Sequence, residues 1–349
     1  MKNPLPILQE KSCSYSVKLN VLNDSRGAEI SNFKGNAAVV TLGCAKNQVD
    51  SEVMLGVLRN TGFDIVNDLS EADVAIINTC GFLESSVKES IDAVLDAAEY
   101  KEKGRLRRLI VAGCVVERYK GDLVTEFPEV DAFITTDELL KVGDVAKGGV
   151  ASLIDSASRP YFLYDDTIPR ELASKKHTAY VKVSEGCNRP CTFCIIPRIR
   201  GEMRSRDISS IVKEVSMLGE QGVREINLVA QDLTSFGKDK KGAELSDLLI
   251  SLDEANAVDW IRLLYAYPVG TDEKLLKTVS SLKTVCNYFD VPLQHASENV
   301  LKVMRRPIGK YAARPFVEFI KNVAPEIAIR TTFITGFPGE TDKDVQILE

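Results

Sequence analysis

Cys187, Cys191 and Cys194 lie in the string EGCNRPCTFC, a C-x3-C-x2-C spacing. Three thiolates held this close can grip three irons of a cubane four-iron four-sulfur (4Fe–4S) cluster, leaving the fourth iron without a protein ligand. An open iron can chelate a small molecule through amino and carboxylate groups. A structural zinc site would instead close its coordination with a fourth Cys or His. The chain has only two histidines, His177 ten residues before Cys187 and His295 far downstream. Both read as structural or hydrogen-bonding residues rather than ligands.

Three more cysteines recur at a longer interval. AVVTLGC (38–44), DVAIINTCG (73–81) and RLIVAGC (108–114) read as buried strands, and Cys44, Cys80 and Cys114 each close one. Residues 47–61, with Val49, Val53, Leu55 and Leu58 at near-helical spacing, read as a helix. Further helices are expected over 84–100 and about 115–125. Continuous apolar strands between helices imply a parallel sheet covered on both faces. The cysteines are 36 and 34 residues apart, about one βα unit each. Residues just past the carboxyl ends of such strands line one edge, where ligands bind, so the three should converge. Gly43, Gly81 and Gly113 beside them would let backbone approach a bulky cluster. A second three-cysteine site with an open iron follows. Cys13 and Cys286 have no comparable context and receive no role.

The surrounding elements divide the chain. Residues 1–36 contain no continuous apolar core and are neither a secretory signal nor an Arg-rich transit peptide; they read as a disordered leader. An amino-terminal domain spans 37–140. A linker spans 141–176, with Gly148, Gly149 and a Ser-rich stretch, and a second domain covers 177–349. Its strands are expected at 178–187, 225–231, 260–267, 287–293 and 327–336, with a helix over 208–221 capped by Asp207. Five βα repeats predict a partial (β/α) barrel with the cysteine loop at its C-terminal mouth. The fold class is thus α/β, an open parallel flavodoxin-like sheet followed by a partial barrel.

Composition adds bounds. The 349 residues are 44% hydrophobic and 27% charged, ordinary for globular domains. No apolar run reaches the ~18 residues that span a bilayer, and clustered thiols without an export signal suit a reducing cytoplasm. A net charge of −6 argues against nonspecific grip on nucleic acid and suits a basic protein partner. Arg189, Arg198, Arg200, Arg204 and Arg206 face a single acid, Glu202, across 187–206. Guanidinium groups near an active mouth suit a carboxylate or phosphate ligand.

TLGCAKNQVDSE, INTCGF, AGC, SEGCNRPCTFCIIPRIRGEMRSR, LVAQD, DVPLQHAS and TTFITGFPGET together resemble the radical S-adenosylmethionine (SAM) methylthiotransferases. The resemblance covers roughly 37–349. It implies an auxiliary 4Fe–4S cluster on Cys44, Cys80 and Cys114 that carries sulfur, and a radical cluster on Cys187, Cys191 and Cys194. It further implies SAM as cofactor, with Phe193, Arg204, Gln231, Asp232, Gln294 and Gly336 near it. No catalytic residue is implied. VAQD and QHAS (294–297) resemble the branch acting on an aspartate of a small-subunit ribosomal protein, protein twelve, at its β-carbon. The tRNA-modifying branch would carry Asn in place of Asp232 and a QSGS-like string. The resemblance also implies an electron donor of flavodoxin or ferredoxin type, and no membrane or stable nucleic-acid partner for this stretch. Family members continue into a further strand and a small β-domain, so the barrel is expected to be truncated. The rival readings are a tRNA methylthiotransferase, which needs a basic docking surface, and a two-cluster electron carrier, which needs fully cysteine-ligated clusters.

Overall fold

The computed structural model describes residues 35–149, 160–173, 176–240 and 242–349. The leader up to 34, Cys13 and the Ser-rich part of the linker lie outside the described residues.

The first unit runs β1 (Asn36–Thr41), α1 (Ala45–Asn60), β2 (Asp64–Ile65), β3 (Val74–Thr79), α2 (Glu84–Lys103), β4 (Arg108–Gly113), α3 (Cys114–Tyr119), α4 (Asp122–Glu126), β5 (Ala132–Ile134) and α5 (Val142–Ala146). Its strands pair in parallel in the order β2-β1-β3-β4-β5. That is the flavodoxin-like winding, whose strand order reverses between β1 and β3. β3 is buried at every residue, as a strand covered on both faces must be. One face packs on α2 through Val87, Ile91, Val94 and Ala97. The other packs on α1 and α5 through Met54, Leu58, Val142 and Val145. Helix α5 therefore belongs to this core although the sequence reading gave 141–176 to the linker.

The second unit runs β6 (Thr178–Lys182), β7 (Ser184–Glu185), α6 (Ile196–Ile199), β8 (Arg204–Ser205), α7 (Ile208–Glu220), β9 (Glu225–Val229), α8 (Leu245–Ala255), β10 (Trp260–Leu263), α9 (Glu273–Ser281), β11 (Val285–Asp290), α10 (Glu298–Val303), α11 (Ala313–Val323), β12 (Ala328–Arg330) and α12 (Asp342–Leu348). Its sheet is five parallel strands in the order β12-β11-β10-β9-β6. Strands that neighbour in sequence also neighbour in space, the winding of a (β/α) barrel left open between β12 and β6. Aliphatic residues of β6, β9, β10 and β11 form one core with Ile211, Leu248, Leu276 and Phe316 of the covering helices. The antiparallel pair β7–β8 brackets the cysteine loop.

Helix α1 sits between the two units and is buried at twelve positions from Lys46 to Leu58. It carries no polar face, because Met54 and Leu58 meet its own sheet while Val49 and Val53 meet Tyr164 beyond it. A helix buried all round must pair its polar residues internally. Glu52 accepts from Arg170 at 2.6 Å, and Arg170 also donates to Glu214 of α7 at 2.6 Å. The linker residues beside Arg170 follow the same path, Glu171 N donating to Glu52 O at 2.9 Å.

Two sequence expectations shift. Strand β1 stops at Thr41, and Cys44 is the residue that caps α1 rather than the end of a strand. Asp207 precedes α7 but its carboxylate does not cap it; the carboxylate accepts from Lys240 at 2.6 Å instead.

Candidate functional site: two cysteine sets

Cys44, Cys80 and Cys114 follow β1, β3 and β4 at the carboxyl edge of the first sheet, with Cys44 and Cys80 flanking the point where strand order reverses. That crevice is where open α/β sheets bind ligands. Cys80 and Cys114 are buried and Cys44 half-buried. Gly43 makes the room: its backbone has φ +90°, and a Cβ there would stand 2.8 Å from Cys80 Sγ. Burial pushes the Cys114 thiol up, against the pull of Arg200.

Cys187 follows the β7 strand and Cys191 and Cys194 the loop leading into α6. Cys187 is buried, the other two half-buried. Burial pushes the Cys187 thiol up to about 11 and raises Cys194 as well. Iron would therefore displace protons on binding. Among the described residues no three His, Cys, Asp or Glu side chains are placed to hold a single metal ion. Each set offers three thiols, the number and donor type that a cubane cluster with one open iron takes.

Each set receives one guanidinium. Arg200 Nη2 lies 3.3 Å from Cys114 Sγ and Arg306 Nη1 lies 3.7 Å from Cys191 Sγ. Arg200 crosses from the second unit into the first, donating to Asn47 Oδ1 at 2.6 Å and Asp50 Oδ2 at 2.7 Å. Lys182 Nζ completes the network, 2.5 Å from Asp50 and 2.6 Å from Glu185. Burial pushes the Glu185 carboxyl up, but Lys182 and Arg200 outweigh it and hold it down to about 2.

The arginine-rich run thus has a different use from the one its composition suggests. Arg189 pairs with Asp232 at 2.6 Å and Arg206 with Glu214 at 2.5 Å. Arg204 donates to the carbonyls of Glu202 at 2.6 Å and Phe162 at 3.1 Å. Of the five, only Arg198 is exposed. The other guanidinium groups fasten the loop and the two units together rather than standing open to an anion.

The residues expected near SAM divide in the same way. Phe193 is half-buried, and its ring meets Phe337 edge-on with centroids 6.3 Å apart. Gly336 has φ +75°, with open space where a Cβ would stand. Its amide and that of Phe337 donate to Glu340, whose other oxygen lies 2.9 Å from His295 Nε2. Gln294 has φ +74° and bridges to Phe333, so the strand expected at 327–336 is instead three residues of β12 followed by this turn. Gln231 donates to Glu185 and leaves its Oε1 buried without a partner. Asp232 is buried on Arg189, Thr234 and Ser235, and Arg204 is spent on carbonyls; these two position the loop. His295 is fully buried, with Nδ1 accepting from Ser297 N at 2.8 Å, and His177 is exposed.

Sequence reasoning missed Lys46, Tyr265, Tyr267 and Arg306. Arg306 and Arg189 both stand against the Tyr267 ring, at 4.1 and 4.0 Å from its centroid. The string LLYAYP, two tyrosines at a strand's carboxyl end, was the available signal.

Two family models match the chain: the uncharacterized protein family UPF0004 over residues 36–135 and the radical SAM superfamily over 181–349. Curated relatives include ribosomal protein uS12 methylthiotransferase RimO of Solibacter usitatus, 48% identical over 310 residues, 87% of this chain and 66% of that protein. The RimO of Geotalea uraniireducens is 43% identical over 319 residues, 90% of this chain and 71% of that one. That of Clostridioides difficile is 42% identical over 313 residues, 89% and 70% respectively. The chain thus spans about two-thirds of these relatives' length. Among solved structures, the radical SAM methyltransferase TsrM of Kitasatospora setae aligns with a TM-score of 0.62 at 14% identity, covering 90% of this chain and 70% of that one. The cobalamin-dependent radical SAM enzyme OxsB aligns at 0.58 and 11% identity, covering 90% and 51%. At such identities these two speak to the fold alone.

Proposed function

The chain belongs to the RimO family of radical SAM methylthiotransferases, and we propose that it adds a methylthio group to the β-carbon of an aspartate in ribosomal protein uS12. The observation that carries the reading is the pair of three-cysteine sets, one at the carboxyl edge of the first sheet and one in the loop between β7 and β8 of the second unit, which Arg200 links to Cys114 of the first. In this reading Cys44, Cys80 and Cys114 hold an auxiliary 4Fe–4S cluster, and Cys187, Cys191 and Cys194 hold the radical cluster, with SAM beside Phe193, Gln231, Gln294 and Gly336. When bound, the clusters and SAM supply hydrogen abstraction from carbon and a source of sulfur.

The chain's own residues do the rest. Arg200 and Arg306 each donate an N–H toward a thiolate sulfur, the kind of outer contact that tunes a cluster's potential. The Asp50–Lys182–Glu185–Arg200 network holds one unit in register with the other, so the two cysteine sets keep a fixed separation. The turn at 336–340, fastened by Glu340 to His295, shapes one wall beside Phe193. Tyr267, in contact with both Arg189 and Arg306, lines another.

An electron donor of flavodoxin or ferredoxin type and a cytoplasmic setting belong to the same proposal. Among the described residues no helix is long and apolar enough to cross a membrane. The net charge of −6 favours a basic protein loop over nucleic acid as partner. The test is anaerobic incubation of the reconstituted protein with SAM, reductant and a uS12 peptide, followed by tandem mass spectrometry. A gain on the target aspartate equal to a methylthio group replacing hydrogen is expected. Modification of a tRNA in place of the peptide would overturn the substrate assignment.

A further inference from the structure

The three cysteines of the first set follow three separate strands, and one buried side chain reaches all three turns. Asn47 is the third residue of α1 and is fully buried. Its Nδ2 donates to Leu42 O at 2.9 Å and to Thr79 O at 2.8 Å. Leu42 stands two residues before Cys44, and Thr79 immediately before Cys80. Its Oδ1 accepts from Arg200 Nη2 at 2.6 Å, and the same nitrogen lies 3.3 Å from Cys114 Sγ. The Cys114 thiol itself is 3.6 Å from Oδ1.

These partners fix which way the carboxamide faces. Backbone carbonyls only accept and a guanidinium only donates, so the amide nitrogen must meet the two carbonyls and the oxygen must meet Arg200. The place of the bonds gives them their effect. Backbone pairing between β1 and β3 ends with Leu42 N donating to Asn78 O at 3.0 Å. Beyond it the two chains part toward Cys44 and Cys80, at the point where strand order reverses. The carboxamide bridges the next carbonyl of each chain there and so sets how far apart they stand. Asn47 is held in its turn, its own carbonyl accepting from Asn78 Nδ2 at 2.9 Å.

We propose that Asn47 is a positioning residue for a cluster on Cys44, Cys80 and Cys114. Its two N–H groups gauge the spacing of the Cys44 and Cys80 turns, and its oxygen aims Arg200 at the Cys114 sulfur. A side chain that touches no iron thereby decides how firmly iron is held, as outer-shell partners of metal ligands do. The inference rests on the methylthiotransferase reading, which puts a cluster on these cysteines, and adds to it the group that sets their geometry.

The test uses the full chain carrying Cys187/Cys191/Cys194→Ala, so that all cluster iron sits on the first set. Asn47→Asp keeps the shape and an acceptor for Arg200 but loses both donors, and Asn47→Leu loses donors and acceptor alike. Val94→Ala removes buried methyl groups from α2 against the same sheet and serves as a control for stability alone. Folding of each metal-free chain is checked by circular dichroism. After anaerobic reconstitution, iron affinity is read by competition with a ferrous chelator, and the reduced cluster by electron paramagnetic resonance. Both Asn47 variants should bind iron at least about tenfold more weakly than the parent chain, with an altered resonance spectrum, while Val94→Ala matches the parent in both. Parent-like affinity in Asn47→Asp would overturn the proposal and leave the methylthiotransferase reading standing. Equal weakening in Val94→Ala, or metal-free Asn47 variants that both fail to fold, would make Asn47 a residue of general stability and overturn it too. A parent chain that holds no iron would overturn the proposal and the two-cluster reading together.

Discussion

Arg200→Met tests whether the buried ion network fastens the two units. Arg200, Lys182, Asp50 and Glu185 have side chains 2–5% exposed, two cations against two carboxylates. Removing the guanidinium leaves one uncompensated negative charge in that site. Breaking a buried pair costs about 3–5 kcal/mol, and here the low end applies because Asp50 keeps Lys182 at 2.5 Å. Asp50→Asn in the same chain restores the balance of one lysine against one glutamate. The double variant should therefore be less destabilised than the sum of the singles by roughly 1–2 kcal/mol, within the range found for contacting residues. The assay is anaerobic urea unfolding of the four chains, read by far-ultraviolet circular dichroism. Single losses below about 0.5 kcal/mol, or additive ones within that margin, would refute the idea that the four groups act as one unit.

Other expectations follow from the same geometry. Glu185 is held down to about 2, so its contribution to stability is complete above about 4.5 and is lost as pH falls toward 2. In the metal-free protein Glu185→Gln should be less stable than wild type at pH 6, with the gap closing between pH 4.5 and 2; a pH-independent gap would contradict the assignment. Arg306→Met removes the N–H directed at Cys191 sulfur and should lower the potential of the radical cluster in an anaerobic redox titration, with an unchanged potential counting against that contact. Gly113 has φ +94° and backbone of Thr79 2.8 Å from where a Cβ would be, so Gly113→Ala should cost roughly 1–3 kcal/mol and reduce iron loading of the first set. Glu340→Ala should strip hydrogen-exchange protection from the Gly336 and Phe337 amides; retained protection would show that the turn holds itself.

The places of the cysteines in the fold were legible because their signals are local or periodic. One is a short spacing, and the other recurs once per βα unit at positions where a parallel sheet forces convergence. The repeated strands of both sheets were legible for the same reason, whereas β2, with two residues, and β5, with three, are too short to show a pattern. The arginine run was misread because its partners are remote: Arg200 lies 150 residues from Asp50 and Arg189 lies 43 from Asp232. Composition shows a cluster of positive charge but not the carboxylates that fold onto it. Lys46 was quoted within a motif and given no role, since its burial against Tyr265 arises only when the two units meet. Cys44 shifted from strand end to helix cap because an apolar run does not reveal where backbone pairing stops.

Iron and acid-labile sulfide content after anaerobic reconstitution bears most directly on the two-site account. Wild type should hold about eight irons, and each triple alanine variant, Cys44/Cys80/Cys114 or Cys187/Cys191/Cys194, about four. Wild type that holds about four irons, unchanged in the Cys44/Cys80/Cys114 variant, would contradict it, leaving those three cysteines as core residues and the chain with one cluster.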